Sequence, residues 1–163
     1  TRAATEATRG VRMFFMERDK ERPLSVPTAA GAITAMDHVV VSTPDPERAA
    51  ALYGARLGLD MALDRSHPDW GRLMFFRCGD LIVEVTHRPG KQEDTSQDKL
   101  HDRLRGLCWR VSDIDATHAR LVQAGVDVSE IRSGRKPGTR VMTVRSGTCG
   151  VPTLLVQPSS GKL

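Results

Sequence analysis

The sequence predicts an α+β domain built from two tandem β-α-β-β-β modules. Three observations carry that expectation. The stretch "MDHVVVSTPDPERAAALY" (36–53) is answered by "RGLCWRVSDIDATHARL" (105–121), each an apolar run leading into a helix start. The helix ends also correspond, "ARLGLDM" (55–61) against "VQAGVDV" (122–128), with one residue deleted within the second helix. Short apolar runs then follow each copy, separated by glycines and polar residues, as strands after a helix would be.

Each element has a local reason. Met36–Val41 contains three successive valines, which favour a strand. Asp45-Pro46 reads as a helix N-cap followed by proline at the first helical position. Ala49, Leu52, Tyr53 and Leu57 follow at helical spacing, and Gly58 is the stop. Strands are expected at Asp60–Ser66, Arg72–Cys78 and Leu81–Thr86. In the second copy the strand is Leu107–Val111. Ser112 or Asp113 caps a helix carrying Ile114, Leu121 and Val122 on one face, and Gly125 ends it. Strands near Val128–Ile131, Arg140–Val144 and Pro152–Val156 complete the copy.

The domain therefore spans 35–158, with modules at 35–88 and 105–158 and a polar linker at 89–104. A third echo stands at the front. "TRGVRMFFMER" (8–18) matches "TCGVPTLLVQP" (148–158) in Thr, Gly, Val and an apolar run. Residues 1–18 are read as the last strand of a preceding module and 19–34 as the linker after it. On that reading the chain is the later part of a longer tandem-module protein, and the exposed strand at 8–18 pairs with an edge.

Composition narrows the function. The 163 residues suffice for one domain with a real core, filled by aliphatic side chains because aromatics are 4%. The net charge of +4 comes from mixed charges without Lys/Arg clustering, which argues against nucleic acid. No apolar run approaches the roughly 20 residues of a membrane span, and no signal peptide is visible. The three cysteines form no CxxC pair. They read as buried thiols of a reducing, cytoplasmic compartment.

"DHVVVSTPDPERAAALY" and "CWRVSDIDA", each opening a β-α-β-β-β module, resemble the vicinal oxygen chelate superfamily over about residues 35–158. Its members include glyoxalase I, bleomycin-resistance proteins, methylmalonyl-CoA epimerases and extradiol dioxygenases. "GVPTLLVQP" looks most like the broad glyoxalase-like group. The resemblance implies a cupped mixed sheet with helices on its convex side and a small-molecule site in the cleft. It also implies metal ligands on the first and last strand of each module, holding a divalent ion (Zn, Fe, Mn, Ni or Co) that acts as a Lewis acid.

Carried over by position, the first module supplies His38 and Glu84, five residues after Gly79. The second module has Gly106 and Leu155 at the matching places, and the upstream echo has Phe15. None of these three can ligate, and two protein ligands rarely hold a metal firmly. His67, His87, His101 and His118 are the spare imidazoles. His87 is expected on the face opposite Glu84, and His118 on a solvated helix face.

Alternation gives the rest of the cleft. With His38 facing inward, Val40 does too, while Val39 and Val41 pack under the helix. Gly106, Cys108 and Arg110 face inward, and Trp109 goes to the core. Ile82, Glu84, Thr153, Leu155 and Gln157 line the floor. Met74 and Phe76, or their neighbours, form apolar walls. The substrate-binding candidates are thus Val40, Cys108, Arg110 and Gln157. Glu84 is a metal ligand or the catalytic base. Arg110 either holds an anionic group by two parallel hydrogen bonds or pairs with an acid of the protein.

The expected function is a glyoxalase-like domain that binds a small organic molecule in the cleft of the cupped sheet, with an incomplete metal site in this chain; where it is an enzyme, the resemblance implies a metal-dependent lyase, isomerase or dioxygenase. The alternatives are a metal-free module that sequesters a small molecule, or a structural half of a longer enzyme. The expected protein partner is a second copy in a homodimer, or an upstream module of the same chain.

Overall fold

A computed structural model describes residues 1–17, 25, 29–90 and 101–159. Most of the expected linkers at 19–34 and 89–104 lies outside them. The element order is α1 (Thr5–Thr8), β1 (Ile33–Ser42), α2 (Pro46–Ala50), β2 (Asp60–His67), β3 (Gly71–Cys78), β4 (Leu81–His87), β5 (Arg103–Val111), α3 (Ile114–Gln123), β6 (Arg132–Ser133), β7 (Arg140–Val144) and β8 (Thr153–Gln157). The strands form a mixed eight-stranded sheet in the order β2-β3-β4-β1-β5-β8-β7-β6. The α+β class and the two β-α-β-β-β modules are as expected.

The chain divides into two compact units. One holds the N-terminal residues and Val39–Arg105, the other the stretch ending at His38 and everything from Gly106 onward. The strand β1 thus contributes its first part to the second unit and its last part to the first.

In the first unit, the Asp45 side chain accepts a hydrogen bond from Arg48 N (3.0 Å), with Pro46 in the first turn. Helix α2 runs on as a π-helical turn, Ala51–Arg56, rather than as the single α-helix expected. Its Leu57 N–H reaches back five residues to Leu52 O (3.0 Å). Successive side chains are rotated less in this wider turn. Leu52 and Tyr53 are both buried, and the Tyr53 ring lies 5.6 Å from that of Phe76. Gly58, at φ 67°, ends the helix as expected.

Strands β2, β3 and β4 form an antiparallel meander. Val39, Val41, Met74, Phe76, Val83 and Val85 join Ala49, Leu52 and Tyr53 in one core. Met74 and Phe76 therefore belong to that core and are not walls on the opposite face. That face of β3 carries their neighbours Leu73 and Phe75.

The front of the chain differs from expectation. Among residues 8–17 no ladder strand forms. Thr8 ends α1, and Phe14 makes an isolated bridge to Arg2. The apolar run pairs with the chain's own first residues, through Ala3 N–H to Met13 O (2.9 Å) and Phe15 N–H to Thr1 O (2.7 Å). Gly10 has φ 115°, and a Cβ there would lie 2.7 Å from Asp102 O, so this tight approach requires glycine. Val11 and Met13 pack on the first-unit core.

In the second unit, Asp113 caps α3 by accepting from Ala116 N (2.9 Å), and Gly125 follows the helix at φ 73°. Strand β5 begins at Arg103, four residues earlier than expected, and pairs in parallel with β8. The expected strand at 128–131 is reduced to a Val128–Val144 bridge, with the two-residue β6 directly after it. Ser129 explains the break. Its hydroxyl, rather than a backbone carbonyl, accepts the Thr143 N–H (2.9 Å), so the ladder does not continue. One face of β5 and β8 packs Trp109, Val111 and Leu155 under Ile114 and Leu121. The other packs Cys108, Leu154 and Val156 with Val141.

Phe76, wholly buried at the centre of the first-unit core, tests this account. Phe76→Ala is expected to cost about 3–5 kcal/mol. Urea unfolding should show a lower midpoint with an unchanged slope.

Candidate functional site

The second unit brings together Asp37, His38 and Cys108. One ligand-type atom from each lies within 4.8 Å of the others. His38 Nδ1 stands 2.8 Å from Asp37 Oδ2, and Arg110 donates its Nε–H to Asp37 Oδ1 (2.7 Å). The carboxylate of Asp37 is thus shared between an imidazole and a guanidinium. Hydrogen bonding to His38 is the main cause that holds the Asp37 carboxyl below its ordinary range. Burial opposes the shift, and the Arg110 hydrogen bond adds to it.

The side chains of His38, Asp37 and Arg110 are partly exposed, by 20%, 27% and 24%. Cys108 beneath them is fully buried.

Asp37 was not singled out from the sequence, because strict alternation sends it to the face opposite His38. Instead both adjacent side chains reach the Cys108–Arg110 face of β5. The usable signal was chemical: a carboxylate beside a candidate ligand histidine is the residue type that orients such rings.

Arg110 takes the second of its two expected roles, pairing with an acid of the protein. Gln157 does not join the group. Its Oε1 accepts the Ile114 N–H (2.8 Å) at the start of α3, on the opposite side of β8. Leu155 likewise packs in the helix-side core. The alternation expected for β8 is therefore reversed. Leu154 and Val156 are the residues that share the face of Cys108, and neither is a ligand.

Gly106 has a packing reason. A Cβ there would lie 2.9 Å from Pro152 O, the carbonyl that accepts the Leu107 N–H. This position of β5 is closed to any side chain by the backbone before β8.

In the first unit, Glu84 stands directly across from Phe75 on β3, on the face away from the Val83–Val85 core. Val40 is on the face away from its core neighbours Val39 and Val41. The spare histidines have other roles. His87 lies on the core-side parity of β4, with Nδ1 3.0 Å from Thr43 O, and His67 stacks on Trp70 at 4.6 Å. His118 is half-buried and His101 exposed. Cys78 and Cys149 are exposed rather than buried, each beside a turn glycine.

The donor set fits a divalent ion. An imidazole, a carboxylate and a thiol are donor types that such ions take, and one atom of each lies within 4.8 Å of the others.

A two-module mixed sheet with such a donor group defines the class. The profile of the glyoxalase/bleomycin resistance protein/dioxygenase superfamily matches residues 37–143, and the chain belongs to that superfamily.

The ethylmalonyl-CoA/methylmalonyl-CoA epimerase of Cereibacter sphaeroides is 28% identical over 127 residues, covering 76% of this chain and 87% of that protein. Methylmalonyl-CoA epimerase from Mycobacterium tuberculosis superposes with a TM-score of 0.65 at 24% identity, covering 83% of this chain and 93% of that one. The Streptomyces coelicolor epimerase in complex with 2-nitronate-propionyl-CoA superposes with a TM-score of 0.61 at 22% identity, covering 80% and 100%. Those two likenesses establish the fold. No helix among the described residues is long and apolar enough to cross a membrane.

Asp37 generates a pH prediction. Its folded pKa lies below the ordinary 3.8, so its contribution to stability is present above that value and lost as pH falls through the lower folded value. Asp64 and Asp115 shift the same way, so the difference between proteins is the readout. Thermal melts of Asp37→Asn should lose less stability than the native protein on acidification below about pH 4. Parallel curves would show that the carboxylate is not held as described.

Proposed function

We propose that this domain is a divalent-metal-dependent isomerase that moves a proton at the carbon beside a carbonyl of a small organic acid or thioester. The observation that carries the reading is the Asp37–His38–Cys108 group with Arg110 behind it. Membership of the superfamily and the epimerase relatives support it. CoA thioesters of 2-substituted malonates are the first substrate class to assay, because the curated relative is named for them.

A divalent ion, when bound, supplies Lewis-acid polarisation of the carbonyl oxygen and so acidifies the neighbouring C–H. His38 provides an imidazole ligand. Asp37 adds a carboxylate oxygen, while Arg110 holds that carboxylate in place. In the first unit, Glu84 is proposed as a carboxylate that accepts a proton from carbon and returns it, and Val40 as a substrate-contacting side chain. In the second unit, Cys108 is proposed to contact the small molecule or its metal.

His38→Ala should bring bound metal from about one ion per chain to near none, measured on protein purified with metal in the medium. It should cost less than about 1 kcal/mol of stability, because the side chain is only partly buried. Glu84→Gln should slow solvent deuterium incorporation at the substrate C2 by about 10²–10⁴-fold. Metal-loaded native protein that exchanges no proton in any of these thioesters would sink the substrate class. Unchanged metal content in His38→Ala would sink the site.

A further inference from the structure

We infer that Cys108 is a thiolate ligand of this metal site, and that it makes the site select a thiophilic ion such as Zn²⁺ or Co²⁺ over Mg²⁺ or Mn²⁺. The inference rests on the metal-dependent reading above and extends it to the ion class and the residue that sets it.

Three observations lead there. The Cys108 sulfur is within 4.8 Å of the ligand-type atoms of both Asp37 and His38. The neighbouring inward position of β5, Gly106, is closed to side chains by Pro152 O. Leu154 and Val156, facing Cys108 from β8, are apolar. Of the β5 and β8 residues on this face, Cys108 is therefore the one with a donor atom for a cation.

Charge makes the thiolate matter. Asp37 is paired with Arg110, so the charges of these two sum to zero. A dication brought to that group gains little until an anion is added. Loss of the thiol proton to solvent, as the sulfur–metal bond forms in place of S–H, supplies it. A soft sulfur donor favours Zn²⁺ and Co²⁺, whereas Mg²⁺ and Mn²⁺ favour sets made of oxygens. Packing alone does not account for the residue. A small hydrophobe would suit Val141, Leu154 and Val156 equally well without placing sulfur beside two other donors.

The test uses Co²⁺ as the probe. The full chain carries Cys78→Ser and Cys149→Ser, which remove the two exposed thiols. The expected result is about one retained Co²⁺ per chain, with a sulfur-to-cobalt charge-transfer band in the near ultraviolet, displaced by Zn²⁺ and not by Mg²⁺. Cys108→Ser in this background should lose the band and bind Co²⁺ about tenfold or more weakly. The band is read first in protein that keeps Cys108, so instability of the serine variant does not blunt the test. Cobalt d–d bands without charge transfer would overturn the Cys108 assignment and leave the metal-dependent reading standing. Failure to retain any Co²⁺ would overturn both.

Discussion

The Asp37 carboxylate is the constraint on which the candidate site depends. One oxygen faces His38 and the other takes the Arg110 Nε–H. This arrangement ties the start of β1 to β5 within one unit, and it determines where His38 can point. An imidazole on a strand rotates about two torsions, and a carboxylate on one nitrogen removes most of that freedom. Arg110 does the same for the carboxylate. An imidazole held in this way has less freedom left to lose on meeting a ligand.

The two modules repeat in backbone and not in chemistry. The cap-and-stop pattern is kept: Asp45 and Asp113 both accept from a backbone N–H in the first turn, and Gly58 and Gly125 both follow at positive φ. The ligand positions are not kept. Gly106 stands where the first module has His38, and its lack of a side chain lets the Pro152 carbonyl approach. Substitution there is opposed by backbone, which does not yield as a flexible side chain would. Two residues along β5 from this closed position stands Cys108.

Much of the fold was legible because it rests on local rules. Asp45-Pro46, Asp113 and the positive-φ glycines mark helix ends through hydrogen bonds to adjacent backbone, and strand β7 appeared at Arg140–Val144 as expected. What failed depended on partners far away in sequence. The run at 8–18 has the apolar pattern of a strand, but residues 13–15 of it pair with residues 1–3, and Gly10 meets Asp102. The alternation of β8 came from counting five residues after Gly150, and the parallel register with β5 sets it one residue off. That single shift turned Gln157 from a site residue into a helix cap. Asp37 was hidden by the same period-2 rule, which says nothing of what a neighbouring arginine can draw around.

A comparison inside the molecule separates Asp37 from a second aspartate that also pairs with an arginine. Asp102 also meets an arginine, Arg48, and accepts from Thr43 Oγ1 (2.6 Å). Its side chain is wholly buried, its N–H donates to Arg9 O, and the Tyr53 hydroxyl is pushed up by burial and by the Asp102 charge. A buried ion pair of that kind is costly to break, since removing one partner strands the other without water. It fastens the N-terminal segment and the start of α2 to one point, with the Asp102 carboxylate shut off from solvent. Asp37 makes an equally direct pair with Arg110 but keeps 27% of its side chain exposed beside an imidazole and a thiol. The two Asp–Arg pairs use the same chemistry. Solvent access and the neighbouring donors separate an anchor of the fold from a place where a cation can bind.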